Sequence, residues 1–120
     1  VFAIETLEGR HIGSVGLHDI HPRYRCAEAG IFIGEREYWN KGYGTDAMRL
    51  LLDFGFGQLN LHRIFLHVHA GNQRAIRSYD KCGFVREGLL RQAVYKDGEY
   101  QDVIVMAILK AEYRSIEGEA

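Results

Sequence analysis

The chain has 120 residues, with 15 Lys and Arg against 16 Asp and Glu and a net charge of −1. That length supports one domain around one core, spanning residues 1–120, and the balanced charge excludes the basic field of a nucleic-acid binder. No apolar run approaches the roughly 18–20 residues of a membrane span and nothing at the front reads as a signal peptide, so no membrane partner and a cytoplasmic address are expected.

Val1 opens inside a strand-like alternation, which predicts that an amino-terminal piece is missing. The stretch "FAIETLEGRHIGSVGLHDI" alternates and turns at Glu8-Gly9, as an antiparallel hairpin does. "AEAGIFIG" is a third strand, with Glu28, Gly30, Phe32 and Gly34 on one face and Ala29, Ile31 and Ile33 on the other. After the glycine turn "GYG", the apolar spacing of Met48, Leu51, Leu52 and Gly55 predicts a helix with one buried face, Asp46, Arg49 and Asp53 keeping to the other side. "RIFLHVHA" is a β-rich fourth strand. Because a helix joins it to its predecessor, the two are expected to be parallel neighbours. Asn72 stands as an N-cap before "QRAIRSYDKC", and Gly83 stands just past its end with Phe84 as the hydrophobic contact. The remainder, "FVREGLLRQAVYKDGEYQDVIVMAIL", reads as a long hairpin turning at Asp97-Gly98. The order is β-β-β-α-β-α-β-β, an α+β arrangement with no repeat or linker.

Cys26 and Cys82 lack the spacing of a metal or disulfide framework and read as reduced thiols. The six histidines are scattered. His67 and His69 can share a strand face, but no Cys or carboxylate stands beside them in sequence at a ligand spacing, and no metal is expected.

Two glycines one residue apart, Gly42 and Gly44, sit at the mouth of the first helix. "GYGTDA" formally fits the dinucleotide fingerprint, yet that motif needs an acidic residue about 20 positions on, and "HRIFLHVHA" has none. A Walker A loop fails because no Lys-Ser or Lys-Thr follows the second glycine. Two readings stay open: a ligand-free strand-to-helix turn, or a cradle in which exposed helix-start amides and the helix dipole receive phosphate oxygens beside Lys41.

The motifs "WNKGYGTDAMRLLLDFGF", "NQRAIRSYDKCGF" and "EGLLRQAVYKDGEYQDVIVMAIL", in that order, resemble the GNAT superfamily of N-acetyltransferases. The likeness is to the branch of the ribosomal-protein N-terminal and spermidine acetyltransferases, and it covers essentially the whole chain. It implies a central mixed, mostly antiparallel sheet flanked by helices. It also implies acetyl-CoA as the acetyl donor, its pyrophosphate cradled by the loop amides of Lys41, Gly42, Tyr43, Gly44 and Thr45. The first residue of that loop is usually Gln or Arg, and here it is Trp39. The family further implies an amino-terminal strand and helices that wall the acceptor pocket and precede this stretch.

Acetyl transfer to an amine needs a deprotonated amine, a stabilised oxyanion and a proton for the departing thiolate. Tyr79 matches the family's tyrosine general acid; its alternative is a core aromatic beside Ala75, Ile76 and Cys82. Asn72 matches a cofactor-contacting asparagine and fits a helix cap equally well. Glu28, 11 residues before Trp39, matches a general base acting through water, against an edge-strand glutamate in solvent. The oxyanion donor is expected among backbone amides of the Ile33 or His69 strand, where the family's sheet parts to admit pantetheine. The expected function is transfer of an acetyl group to the primary amine of a peptide amino terminus. A polyamine or other small amine is the alternative acceptor, a non-catalytic coenzyme A binding module is the alternative class, and a homodimer is left open.

Overall fold

The computed structural model of the chain describes residues 2–5, 8–34 and 42–119. Six strands, β1 (Phe2–Glu5), β2 (His11–His21), β3 (Cys26–Ile33), β4 (Arg63–His69), β5 (Val85–Lys96) and β6 (Glu99–Leu109), form one sheet in the order β1-β2-β3-β4-β6-β5. The β3–β4 pair is parallel and the others are antiparallel. This is the mixed, mostly antiparallel sheet expected from the sequence, and it excludes a doubly wound nucleotide fold.

Helix α1 (Tyr43–Asp53) crosses between β3 and β4, α2 (Gln73–Cys82) joins β4 to β5, and α3 (Lys110–Glu119) follows β6. The predicted element order holds, with two additions. A π-helical turn, Phe54–Gln58, extends α1, and α3 was not foreseen.

The helix side of the sheet is the core. Met48, Leu51 and Leu52 of α1 pack against Ile64 and Leu66 of β4, and Met106 and Ile108 of β6 complete the layer, all 1 % exposed or less. Burial at that level is worth roughly 1.5–3 kcal/mol for each such side chain. α3 docks on the same side: Tyr113 packs its ring 5.3 Å from Phe56 and donates its hydroxyl proton to Asp53. Along β4 the residues alternate, Ile64, Leu66 and Val68 facing the core while Phe65, His67 and His69 face the opposite side. Among the described residues no helix covers that opposite face.

Local chemistry explains the boundaries. Asn72 Oδ1 accepts from the Ala75 amide at 3.2 Å and opens α2. Gly83, at φ 100, ends α2 in the left-handed conformation and lets the amides of Gly83 and Phe84 reach Asp80 O and Tyr79 O. Asp97 and Gly98, both at positive φ, make the β5–β6 turn.

Candidate active site

The site is built where two parallel strands stop being neighbours. β3 and β4 pair at Cys26↔Arg63, Ala27↔Ile64 and Glu28↔Phe65, and the register ends there. Beyond that point residues 29–33 still pair with β2, and residues 66–69 still pair with β6. Toward the carboxyl ends of β3 and β4 the two halves of the sheet are therefore no longer hydrogen-bonded to each other, which leaves a gap in the backbone ladder.

On the helix side, beside the unpaired end of β3, lies a cavity of about 110 Å³ lined by Ile31, Ile33, Gly44, Asn72, Arg74, Ala75, Ser78 and Tyr79. Four residues singled out from the sequence, Ile33, Gly44, Asn72 and Tyr79, meet there. Gly42 caps α1 in the left-handed conformation, φ 86, and among the described residues no side chain caps the helix start. The first backbone bond of α1 runs from the Asp46 amide to Gly42 O at 2.9 Å, so the amides of Gly44 and Thr45 have no acceptor inside the helix. A Cβ built on Gly44 would lie 3.5 Å from Ile33 Cδ1 and 3.6 Å from Ile31 Cδ1, an ordinary contact with the cavity wall.

Tyr79 is at once a packed aromatic and a residue of the cavity wall. Its ring meets Phe84 edge-on at 5.9 Å, as a packed aromatic does, and it also lines the cavity. Burial raises the phenol above its usual range, with Arg74 opposing and Cys82 reinforcing. The hydroxyl thus keeps its proton at neutral pH, which a general acid requires. Asn72 likewise caps α2 and lines the cavity.

Thr45 Oγ1 and Ser78 Oγ are 2.8 Å apart, and the Cys82 thiol reaches Thr45 O at 3.7 Å, so the first turn of α1 is tied to α2. Burial pushes the Cys82 thiol up to about 11, which keeps it protonated and unreactive.

Tyr43 was expected to serve through its backbone amide; its side chain lines a different cavity, an apolar one of about 680 Å³ with Phe2, Ile4, Leu50 and Phe54. Glu28 is not on an edge strand, because β2 and β4 flank β3. Lys41 and Trp39 lie outside the described residues. Glu28 instead pairs with His67: Nδ1 and Oε2 are 2.7 Å apart, on the face opposite the helices. His67 and His69 do share that face, as the alternation predicted. Sequence reasoning missed Ile31, Arg74 and Ser78. The 74, 75, 78, 79 spacing on α2 was the available signal, since it places all four on one helix face.

The sequence profile of the acetyltransferase (GNAT) domain matches residues 1–85. The chain belongs to the GNAT acetyltransferase family. Among GNAT relatives, spermidine N(1)-acetyltransferase of Vibrio cholerae is 40% identical over 112 residues, covering 93% of this chain and 64% of that protein. The Escherichia coli K12 spermidine N(1)-acetyltransferase is 38% identical over 112 residues, 93% of this chain and 59% of its own length. A putative ribosomal N-acetyltransferase of Bacillus subtilis, YdaF, is 32% identical over 106 residues, 88% of this chain and 57% of that protein. A solved variant of the Vibrio cholerae spermidine N-acetyltransferase SpeG superposes with a TM-score of 0.87 at 40% identity, covering 94% of this chain and 68% of that one. The chain thus spans about three fifths of the length of these curated relatives.

GNAT acetyltransferases take their acetyl group from acetyl-CoA, and the cavity suits such a donor. Among the described residues no carboxylate lines it, Arg74 brings a cation, and Ile31 and Ile33 supply an apolar wall. Its volume falls short of the roughly 300 Å³ or more that encloses a whole small ligand. A cavity of this size receives part of such a donor rather than the whole of it.

Proposed function

We propose that this chain carries the donor-binding and proton-handling part of an acetyl-CoA-dependent N-acetyltransferase whose acceptor is the primary amine of a polyamine or similar small aliphatic amine. The observation that carries the transfer reading is the parting of β3 and β4 after Glu28↔Phe65, with Gly44, Asn72 and Tyr79 gathered at one mouth of the gap. When bound, acetyl-CoA supplies an acetyl group activated as a thioester.

The chain's own residues do the rest. The α1 amides of Gly44 and Thr45 are directed at the donor's phosphates, with the helix dipole behind them. Ile31 and Ile33 hold the slender arm and exclude water. Asn72 holds the start of α2 in place while facing the same cavity. Tyr79, kept protonated by burial, delivers its hydroxyl proton to the thiolate that leaves.

Support for the acceptor class comes from the relatives. Those at 38–40% identity over 93% of this chain are named spermidine acetyltransferases, which favours a polyamine over the peptide amino terminus expected at first. The peptide reading keeps one specific support, the ribosomal designation of the relative at 32% identity. Thiol release from acetyl-CoA, followed in the presence of spermidine or of a peptide with a free amino terminus, tests the proposal. Release with spermidine is expected. Binding of coenzyme A without release on any amine would leave a coenzyme A binding module.

A further inference from the structure

At the point where the backbone ladder between β3 and β4 ends, a side-chain bridge takes over. Glu28 is the last paired residue of β3. His67 is the next residue of β4 that shares a face with Phe65, its ring edge-on to Phe65 at 5.9 Å and 82°. The Glu28–His67 bond of 2.7 Å therefore spans the root of the gap on the face opposite Tyr79. We propose that His67 is the group that takes the proton from the incoming amine, with Glu28 as its positioning residue; this inference rests on the acetyltransferase reading above.

The chemistry of the partner assigns the tautomer. An ionised carboxylate only accepts, so Nδ1 must donate and carry the ring proton, which leaves Nε2 of the neutral imidazole with its lone pair bare. His67 is 40% exposed and Glu28 29%, enough for an amine or a water to reach the ring while the carboxylate holds its other edge. Imidazole is the side-chain type suited to taking and releasing protons near neutral pH. Glu28 also places a negative charge against the imidazolium that forms, the role a carboxylate plays behind a histidine base in hydrolytic triads.

Other side chains stand around this pair. From β2, His18 lies over Gly30, its Nε2 2.9 Å from where a Cβ would stand. On β4, His69 shares the face, and Arg63 is committed to a bidentate pair with Glu87 of β5 that holds the Glu87 carboxyl below its usual range. From β6, Val103, Val105 and Ala107 stand opposite His69, His67 and Phe65 and titrate nothing. Among the described residues Glu28 is the carboxylate within hydrogen-bond reach of His67.

The step balances. One N–H bond of the substrate ammonium breaks, its electron pair stays on nitrogen as the nucleophilic lone pair, and the proton is held on Nε2 before passing to solvent. Proton acceptor and proton donor, His67 and Tyr79, then serve the two mouths of one gap.

The test combines ¹⁵N NMR of the His67 ring with pH–rate profiles for the parent, His67→Gln and Glu28→Gln. Gln at position 67 keeps an N–H donor for Glu28 and removes the base. Expected in the parent is the tautomer with Nδ1 protonated and Nε2 bare. His67→Gln should bind coenzyme A as the parent does and lose about 10²-fold in kcat/KM at pH 7. The deficit should shrink toward alkaline pH, where the amine deprotonates unaided. Glu28→Gln should mix the two ring tautomers. A proton on Nε2 in the parent, or a His67→Gln profile parallel to the parent's at every pH, overturns the inference while the transferase reading stands. No turnover by the parent on any amine overturns both.

Discussion

Replacing Gly44 tests donor binding with a graded pair of variants. Gly44 is not at positive φ, and a Cβ there meets only Ile33 Cδ1 and Ile31 Cδ1 at 3.5 and 3.6 Å. Gly44→Ala should therefore fold, and helix propensity alone favours it by up to about 1 kcal/mol. Gly44→Val pushes two further methyls into the cavity in front of the α1 amides. An amide donating to an ionised phosphate oxygen is worth about 1.5–3 kcal/mol. Losing one such bond weakens affinity by roughly ten- to a hundredfold. Calorimetric titration of coenzyme A should therefore give a parent-like or few-fold weaker constant for Gly44→Ala and at least a tenfold weaker one for Gly44→Val. Both melting temperatures should equal or exceed the parent's. A folded Gly44→Val variant binding within twofold of the parent would show that the α1 turn carries no phosphate.

Further predictions concern the cavity wall and the buried thiol. Tyr79→Phe should leave coenzyme A affinity unchanged and lower turnover about 10²-fold, because only the donated proton is removed; turnover within twofold of the parent would make Tyr79 a packing residue alone. Asn72→Ala should cost about 1 kcal/mol in urea unfolding through loss of the α2 cap. Asn72→Ser should restore that stability yet leave donor binding weakened, and full recovery of both would reduce Asn72 to a cap. Cys82, with its thiol raised to about 11, keeps its proton in the fold while the unfolded thiol ionises near 9. The unfolded state then binds fewer protons, so stability is fully present below pH 9 and falls as pH rises toward 11. Cys82→Ala should flatten part of that fall in unfolding curves taken at pH 8 and 10.5, and an unchanged slope would contradict the assignment.

Punctuation residues made most of the fold legible. Gly42, Asn72, Gly83 and Asp97-Gly98 each have a conformational or capping role fixed by their chemistry, and each marks an element boundary where the sequence placed it. α3 was missed because its segment has little apolar periodicity and is held by Tyr113, whose partners Phe56 and Asp53 are about 60 residues away in the chain. The helix face of the site could be read from motif and spacing, since Asn72 and Tyr79 lie on one short helix. The opposite face could not. Whether Glu28 meets His67 depends on the β3–β4 register, and a slip of one residue would turn one of them toward the core. Arg74 and Ser78 carried the α2 spacing signal but no distinctive motif of their own.

The most direct test of the account is product analysis by mass spectrometry after incubating the protein with acetyl-CoA, spermidine and a mixed library of peptides with free amino termini. The account predicts acetylspermidine as the dominant product, with loss of product in Tyr79→Phe. Acetylated peptide amino termini with untouched spermidine would contradict the acceptor class, and no acetylated product from a protein that binds coenzyme A would contradict the transferase reading itself.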